Sequence, residues 1–263
     1  MTKKEDTTAA PFTSVSVLVH GHAKTGKSWL ADTLPAPRLI LDAEGGTRFT
    51  PSKKVIWDVG AGGPPPDTTE TCVVYVRSYK TMQQVYQWLV SGEHPFKSVA
   101  VDSLSEVQQR CIDNIAGTHA MEMKGWGELL RSMTSLIRAF RDLSFHPTHP
   151  LEMIMFTAMT RTDDKRLRPH VQGQLGTTLP YYIDVIGYLH ISPGADGIDQ
   201  RQMLTQQQDS IEAGDRTGRL PAQLLEPTAD KIIKLISQPL SSSEEDEEPR
   251  HALKSSAAAP EEI

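Results

Sequence analysis

Short apolar runs recur along this chain, each closed by turn-forming or polar residues, and this pattern is typical of buried strands. Between them, apolar residues return every three or four positions, the spacing of one helix face. The predicted strands are SVSVLVH (14–20), RLILDAEGG (38–46), TCVVYVRS (71–78), FKSVAVDS (96–103), LEMIMFTAM (151–159), LPYYIDVIGYLHIS (179–192) and RQMLTQQQ (201–208). Four helices are predicted. The first begins near Lys27, the second covers 80–91, the third follows a capping box at Ser103, and the fourth covers 126–143.

Strands that alternate with helices indicate right-handed crossovers and therefore an α/β fold, a mostly parallel central sheet with helices on both faces. We expect a single domain over residues 12–240. The polar start (1–11) and the acidic run at the end (241–263) are expected to be disordered.

The net charge of −6 comes mostly from the end of the chain, because residues 241–263 hold seven acidic and two basic residues. The body is therefore close to neutral, which neither requires nor excludes a nucleic-acid partner. Cys72 and Cys111 both lie in apolar segments and favour a reducing compartment over a disulfide framework. No signal peptide or membrane span is recognisable, so a cytoplasmic location is expected.

The segment GHAKTGKS (21–28) has the spacing G-x-x-x-x-G-K-S, which is typical of the P-loop that wraps a nucleoside triphosphate. It follows a predicted strand and precedes a predicted helix, which is the context that the motif requires. Lys27 is expected to reach the β- and γ-phosphates, and the Ser28 hydroxyl to bind Mg²⁺. The residues expected to surround ATP are Gly21, His22, Ala23, Lys24, Thr25, Gly26, Lys27, Ser28 and Trp29.

Two acidic strand ends supply the remaining chemistry. Asp102 closes the apolar run SVAVD, and P-loop enzymes place such an acid beside the P-loop strand to support the Mg²⁺ shell. Hydrolysis also needs a group that orients or deprotonates water. LILDAEGG offers Asp42 and Glu44, and we favour Glu44 because the two glycines after it could bring the loop close to the γ-phosphate.

These segments together resemble the RecA recombinase core. LILDAE (39–44) matches a strand that leads to the catalytic glutamate of that family, VDS (101–103) matches its metal-binding strand, and GELLRSMTSLIRAF (127–140) resembles the helix after its first DNA loop. More narrowly, VQGQLGTTLPYYIDVIGYL (171–189) and DRTGRLP (215–221) resemble the RecA-like ATPases of bacteriophages in the Sak single-strand annealing group. The resemblance covers most of residues 14–220.

The resemblance implies a RecA-like P-loop core that hydrolyses ATP, binds single-stranded DNA and promotes its annealing or strand exchange. It also implies that the protein assembles with itself into a filament or ring. A single-strand DNA-binding protein is a further expected partner. The family would place DNA-facing loops at 112–125 and 160–177. The second is also favoured by its own residues, since it carries the cations Arg161, Lys165, Arg166 and Arg168.

The resemblance also implies an arginine that reaches the nucleotide of the neighbouring subunit, and we assign Arg216 to it, with Arg219 as the alternative. The family's γ-phosphate-sensing glutamine has no counterpart at the end of the fifth strand, where Thr157 and Thr160 stand, with Gln172 a further alternative. Three other functions stay open: a small-molecule P-loop kinase, a nucleotide-gated DNA clamp or loading factor, and a hexameric helicase-type motor. A GTPase is disfavoured because no [NT]-K-x-D motif is present.

Overall fold

A computed structural model of the protein describes residues 14–194, 197–208 and 210–238, so the segments 1–11 and 241–263 lie outside the described residues. The strands are β1 (Val15–Gly21), β2 (Arg38–Asp42), β3 (Lys54–Ile56), β4 (Thr71–Tyr75), β5 (Ser98–Asp102), β6 (Met153–Asp163), β7 (Arg166–Pro169), β8 (Val185–Pro193), β9 (Asp199–Leu204), β10 (Gly214–Asp215) and β11 (Gln223–Leu225). The α-helices are α1 (Lys27–Ala31), α2 (Tyr79–Ser91), α3 (Leu104–Ala116), α4 (Met123–Asp142), α5 (Leu175–Thr178) and α6 (Ala229–Ser237). Short 3₁₀ helices cover Gly46–Phe49, Val59–Ala61, Leu143–Phe145 and Leu179–Tyr181.

The strands form one sheet in the order β11-β9-β8-β1-β6-β5-β2-β4-β3. All neighbouring pairs from β8 to β3 are parallel, whereas β9 and β11 pair antiparallel at one side. The expected α/β fold with a mostly parallel sheet is therefore confirmed. Because parallel strands end at the same edge, the loops after β1, β2 and β5 meet there.

Alternate strand residues enter two separate cores, one on each face of the sheet. Leu18 of β1 and Leu41 of β2 pack with α2, α3 and α4. Val17 of β1 and Ile40 of β2 pack on the other face with α1 and α6. In α4, Leu129, Met133, Ile137 and Phe140 recur at helical spacing and are buried, which explains why this amphipathic segment covers the sheet.

The expected loop at 160–177 is instead largely a β-hairpin followed by α5. β6 continues past its predicted end to Asp163 and pairs antiparallel with β7. Asp164 and Lys165 form the turn with φ angles of 46° and 65°, the left-handed conformation that two-residue hairpin turns require. Backbone pairing therefore gives this polar segment a fixed conformation that its hydrophobicity pattern does not indicate.

The segment 112–125, expected as the first DNA loop, is also mostly regular structure. α3 continues to Ala116 and α4 begins at Met123, so only 117–122 lies between the helices. This connection is at the far end of α3, about 20 Å along the helix axis from Ser103. It is therefore remote from the edge of the sheet that carries the P-loop. None of the helices in the described part of the chain is long and apolar enough to cross a membrane.

Candidate nucleotide site

The P-loop connects the end of β1 to the first turn of α1, as the sequence predicts. Gly26 adopts a φ of 100°, a conformation that favours glycine, and α1 begins at the next residue. The Thr25 hydroxyl donates to the His22 carbonyl at 3.0 Å and closes the loop. His22, Ala23, Lys24 and Trp29 are exposed around it. A loop of this shape in front of a helix presents backbone N–H groups to an anion.

Lys27 lies within this loop. Its ammonium group donates to the carbonyl oxygens of Gly21 and His22, each at 2.9 Å. Burial lowers the pKa of Lys27, and the nearby carboxylates of Glu44 and Asp102 act in the opposite direction. The side chain is thus held at the P-loop by polar contacts and is not part of the hydrophobic core.

Ser28 and Asp102 are in direct contact, as expected for a pair that shares a metal ion. The Ser28 hydroxyl donates to Asp102 Oδ2 at 2.6 Å, and the hydroxyl of Thr157 donates to Oδ1. One detail of the expectation is wrong, because β5 is not the neighbour of β1. β6 lies between them, and its Thr157 fills the gap beside Asp102.

The surroundings of Asp102 fit a divalent cation. The residue is 2% exposed, and burial raises the pKa of its carboxyl; the hydroxyl donors Ser28 and Thr157 lower it, while the carboxylates of Glu44 and Asp42 raise it further. A bound cation would offset this concentration of negative charge. The loop after β2 passes close to this pair at Gly46. A Cβ at that position would lie 2.6 Å from Ser28 Oγ, so a larger residue would collide with the serine. In the described residues, no three His, Cys, Asp or Glu side chains form a metal cluster.

The structure separates the roles of the two acids in LILDAEGG. Asp42 is 2% exposed, and its carboxylate accepts the backbone N–H groups of Glu44, Gly45, Gly46 and Thr47. It also accepts the Thr47 hydroxyl at 2.5 Å. Asp42 therefore holds the turn together.

Glu44 projects from that turn towards Lys27 and Asp102. Its Oε1 accepts a hydrogen bond from the hydroxyl of Ser103, the residue that follows Asp102. Its charge also acts on both Lys27 and Asp102. Of the two acids, Glu44 is the one whose carboxylate is close to the P-loop lysine and to the candidate metal ligand.

The two alternatives for a γ-phosphate sensor on β6 make different contacts. Thr157 is bonded to Asp102, whereas Thr160 Oγ1 lies 2.9 Å from His20 Nδ1. His20 Nε2 lies 2.7 Å from the Glu212 carbonyl, and burial lowers the pKa of this histidine to about 4. Gln172 is not part of this chain of contacts. Its backbone N–H donates to Gln108 Oε1 on α3 at 2.6 Å.

The four cations expected to bind DNA are not equivalent. Arg161 and Arg168 pair with Asp163 at 3.3 Å and 3.6 Å, and Arg168 also pairs with Glu212 at 3.2 Å. Lys165 and Arg166 are exposed at the tip of the hairpin. The structure therefore leaves two of the four available to a partner.

Arg216 lies near the opposite ends of the strands from its own P-loop. Its guanidinium pairs with Asp184 at 3.1 Å and donates to the Tyr181 carbonyl at 2.9 Å. Asp184 accepts the backbone N–H of Ser16 near the start of β1, about 17 Å along the strand from Gly21. Arg216 is 57% exposed and lines a cavity of about 560 Å³ together with Arg166 and Arg168. The alternative, Arg219, donates to the Ile236 carbonyl at 2.7 Å.

Sequence reasoning missed Arg201 as a residue of this site. Its guanidinium carbon lies 5.2 Å from the centroid of the Trp29 ring, beside the P-loop. No motif links Arg201 to a loop about 170 positions earlier in the chain, so only the pairing of β9 with β8 reveals it. The structural roles of Thr157 and Gly46 were likewise not apparent from spacing.

A protein family and a number of solved structures are similar to this chain. A family described as "AAA domain" matches residues 13–217. No curated protein matches the chain. Solved structures that match include a "prototypical ATPase from the type III secretion system of pathogenic bacteria", with 15% identity and a TM-score of 0.42 over 68% of this chain and 52% of that one. This chain therefore spans about half the length of that protein.

Proposed function

We propose that this chain, which belongs to the AAA domain family, is a Mg²⁺-dependent ATPase whose nucleotide cycle controls binding of single-stranded DNA. The reaction converts ATP and water into ADP and phosphate. The observation that carries the proposal is the convergence of Lys27, Ser28, Glu44 and Asp102 at the P-loop edge of the sheet.

Each of these side chains has a role in the proposed hydrolysis. Lys27 would lie against the β- and γ-phosphates and offset charge that builds up on their oxygens. Glu44 would accept a proton from the attacking water as the oxygen of that water bonds to the γ-phosphorus and the bond to the leaving ADP oxygen breaks. Ser103 orients Glu44 through its hydroxyl.

Ser28 and Asp102 are the residues that would hold Mg²⁺. The metal ion would neutralise phosphate charge when bound. Because hydroxyl and carboxylate oxygens are suitable Mg²⁺ ligands, the donor chemistry agrees with this assignment. The buried position of Asp102 excludes bulk water from one side of the site and strengthens its attraction to a cation.

A continuous strand supports the link to DNA. β6 carries Thr157, which contacts Asp102, and Thr160, which contacts His20; the same strand then enters the hairpin with exposed Lys165 and Arg166. A change at the nucleotide site could therefore move the base of the hairpin through hydrogen-bonded contacts. Cations at a hairpin tip would bind phosphates with little regard to base sequence.

The resemblance to the Sak group supports strand annealing or strand exchange as the purpose of this cycle, carried out by a filament or ring of subunits. In such an assembly Arg216 would act on the nucleotide of a neighbouring subunit, because it lies too far along the sheet to reach its own P-loop.

Phosphate release from Mg²⁺-ATP, measured with and without oligo(dT), tests the proposal. We expect release that DNA stimulates and that Lys27→Ala abolishes, with Lys80→Ala as a charge-matched control. Lys80 is exposed on α2 and lies outside the nucleotide site. Equal release by Lys27→Ala and wild type would refute the ATPase site.

Release that oligo(dT) does not change would refute the DNA link. ATP-dependent DNA binding without turnover would favour a clamp, strand unwinding would favour a helicase, and phosphate transfer to a small acceptor would favour a kinase.

A further inference from the structure

The guanidinium of Arg201 lies over the ring of Trp29 beside the P-loop. Trp29 is in the first turn of α1, two residues after Lys27, and its side chain is 45% exposed. The guanidinium carbon of Arg201 lies 5.2 Å from the centroid of its ring. A Cβ on Gly26 would lie 2.5 Å from Arg201 Nε, so Arg201 also lies directly against the second glycine of the P-loop. Two planar groups therefore border the phosphate-binding loop at one side.

The backbone of Arg201 is held firmly, whereas its guanidinium is not bound to an acid. The N–H of Arg201 donates to Glu226 Oε1 at 3.0 Å, and the N–H of Glu226 donates to the Arg201 carbonyl at 2.8 Å. Among the described residues, the guanidinium has no ion pair or hydrogen bond, and its contact is the face of Trp29. This cation is therefore positioned at the loop and available to a ligand.

The orientation of the site indicates which part of a nucleotide would arrive there. Ser28 faces Asp102, and Glu44 lies near the same acid, so the γ-phosphate belongs at that side. Consecutive helical residues project about 100° apart, which turns Trp29 away from these carboxylates. A triphosphate with its γ end at Glu44 would extend its base in the direction of Trp29.

We infer that Trp29 and Arg201 form the site that receives the base of the bound nucleotide, by stacking on their planar faces. The inference rests on the nucleotide site proposed above and adds the part of the ligand that the P-loop motif does not address. Stacking acts on the π-face that every base has, so the site would favour purine nucleotides over bare polyphosphate and discriminate little between ATP and GTP.

Two ligands that differ only in the nucleoside test the inference. Affinities of the full chain for Mg²⁺-ATP and for Mg²⁺-tripolyphosphate are measured by calorimetry in wild type, Arg201→Gln, Arg201→Lys and Trp29→Leu. We expect all three substitutions to weaken ATP about tenfold while tripolyphosphate affinity is unchanged, within the range for base–aromatic stacking. Lysine is not expected to rescue, because it retains the charge and loses the planar group.

Tryptophan fluorescence gives a second readout. ATP should quench the emission of the wild type, tripolyphosphate should not, and the quenching should disappear in Trp29→Phe but persist in Trp126→Phe. Trp126 is a suitable control because it is 41% exposed on α4.

Each other outcome overturns the inference in a recognisable way. Equal losses for ATP and tripolyphosphate in Arg201→Gln, with rescue by Arg201→Lys, would make Arg201 a phosphate ligand. Unchanged ATP affinity in all three variants would place the base elsewhere. Failure of the wild type to bind either ligand would instead refute the nucleotide site itself.

Discussion

The Ser28 hydroxyl, in the first turn of α1, donates a 2.6 Å hydrogen bond to Asp102 at the end of β5, although 74 positions separate the two residues. Strand β6 lies between β1, which leads to the helix of Ser28, and β5, which ends at Asp102. Thr157 of that intervening strand donates to the other oxygen of Asp102. The carboxylate is therefore fixed from two directions, and in the proposed site its position would define the side of the P-loop that receives the γ-phosphate and its metal ion.

Asp102→Asn should stabilise the fold and impair the enzyme. Burial raises the pKa of Asp102, so the folded state holds its proton more tightly than the unfolded state, and stability is lost as pH rises through the folded pKa. Asparagine does not ionise and avoids that loss. We expect a higher free energy of unfolding than wild type at pH 8, with the difference shrinking towards pH 4, in urea titrations without nucleotide.

The same variant should bind Mg²⁺ with its nucleotide about 10- to 100-fold more weakly, the range for partners that orient a metal site. A variant that is less stable than wild type at pH 8 would show that the ionised carboxylate stabilises the fold.

Glu44→Gln should impair catalysis, whereas Asp42→Asn should impair the stability of the fold. Glu44→Gln is expected to lower turnover about 10²-fold or more with ATP affinity and stability retained, because a general base is lost. Asp42→Asn should lower the free energy of unfolding by about 1–3 kcal/mol, since an amide would face N–H donors that Asp42 now accepts. Single-turnover kinetics and urea titrations measure the two effects. Normal turnover in Glu44→Gln would remove its catalytic role.

Neutralising the hairpin tip should weaken DNA binding without harming the fold. Lys165→Asn with Arg166→Gln is expected to reduce the slope of log affinity against log salt concentration by about 1.4, since each contact with a single strand contributes about 0.7. Fluorescence anisotropy with oligo(dT), measured from about 50 to about 300 mM salt, gives this slope. The charge-matched control is Lys97→Gln with Lys234→Gln, at exposed positions outside the hairpin. An unchanged slope in the hairpin variant would show that its tip does not touch phosphate.

Arg168→Gln separates a structural arginine of the hairpin from a binding one. Its guanidinium pairs with Glu212 and Asp163, so its loss should lower the free energy of unfolding in urea titrations. The salt slope of DNA binding should change little.

Arg216→Ala should be rescued by a subunit that lacks Lys27. If Arg216 reaches the nucleotide of a neighbour, an interface between an Arg216→Ala subunit and a Lys27→Ala subunit combines an intact P-loop with an intact arginine. We expect the single variants to lose about 10³-fold or more in turnover, as arginine fingers do, and the mixture to recover part of it. Co-assembled mixtures that remain inactive would rule out this role, and Arg219→Ala would then be examined in the same assay.

Acid should destabilise the protein through two buried histidines. Burial lowers the pKa of His20 and of His94 to about 4. Because the unfolded chain takes up a proton near pH 6.5 and the folded state does not, stability is retained above pH 6.5 and lost as pH falls towards 4. Each histidine contributes up to about 1.4 kcal/mol for each pH unit. His94→Asn, whose amide oxygen can replace the ring nitrogen that accepts Phe96 N–H, should reduce that loss in urea titrations at pH 7 and pH 5.

Sequence patterns alone were enough to predict the P-loop, most of the strands and helices around it, and the acids at the ends of β2 and β5. These features depend on contiguous residues: the glycines fix the backbone of the loop, and the periodicity of apolar residues fixes which segments become strands or helices. Lys27, Ser28 and Asp102 could therefore be assigned from spacing, and the structure brings them together.

The groups that surround Lys27, Ser28 and Asp102 could not be predicted from these local patterns. The two glycines after Glu44 favoured it over Asp42, but the hydrogen bonds that direct Asp42 into the turn and Glu44 towards Ser103 appear only in the fold. The insertion of β6 between β1 and β5 and the approach of Arg201 to Trp29 depend on strand pairing between distant segments. Sequence patterns report local conformation and burial, whereas contacts between distant residues are selected by the packing of the whole sheet. For that reason the partners of each candidate site residue follow only from the fold.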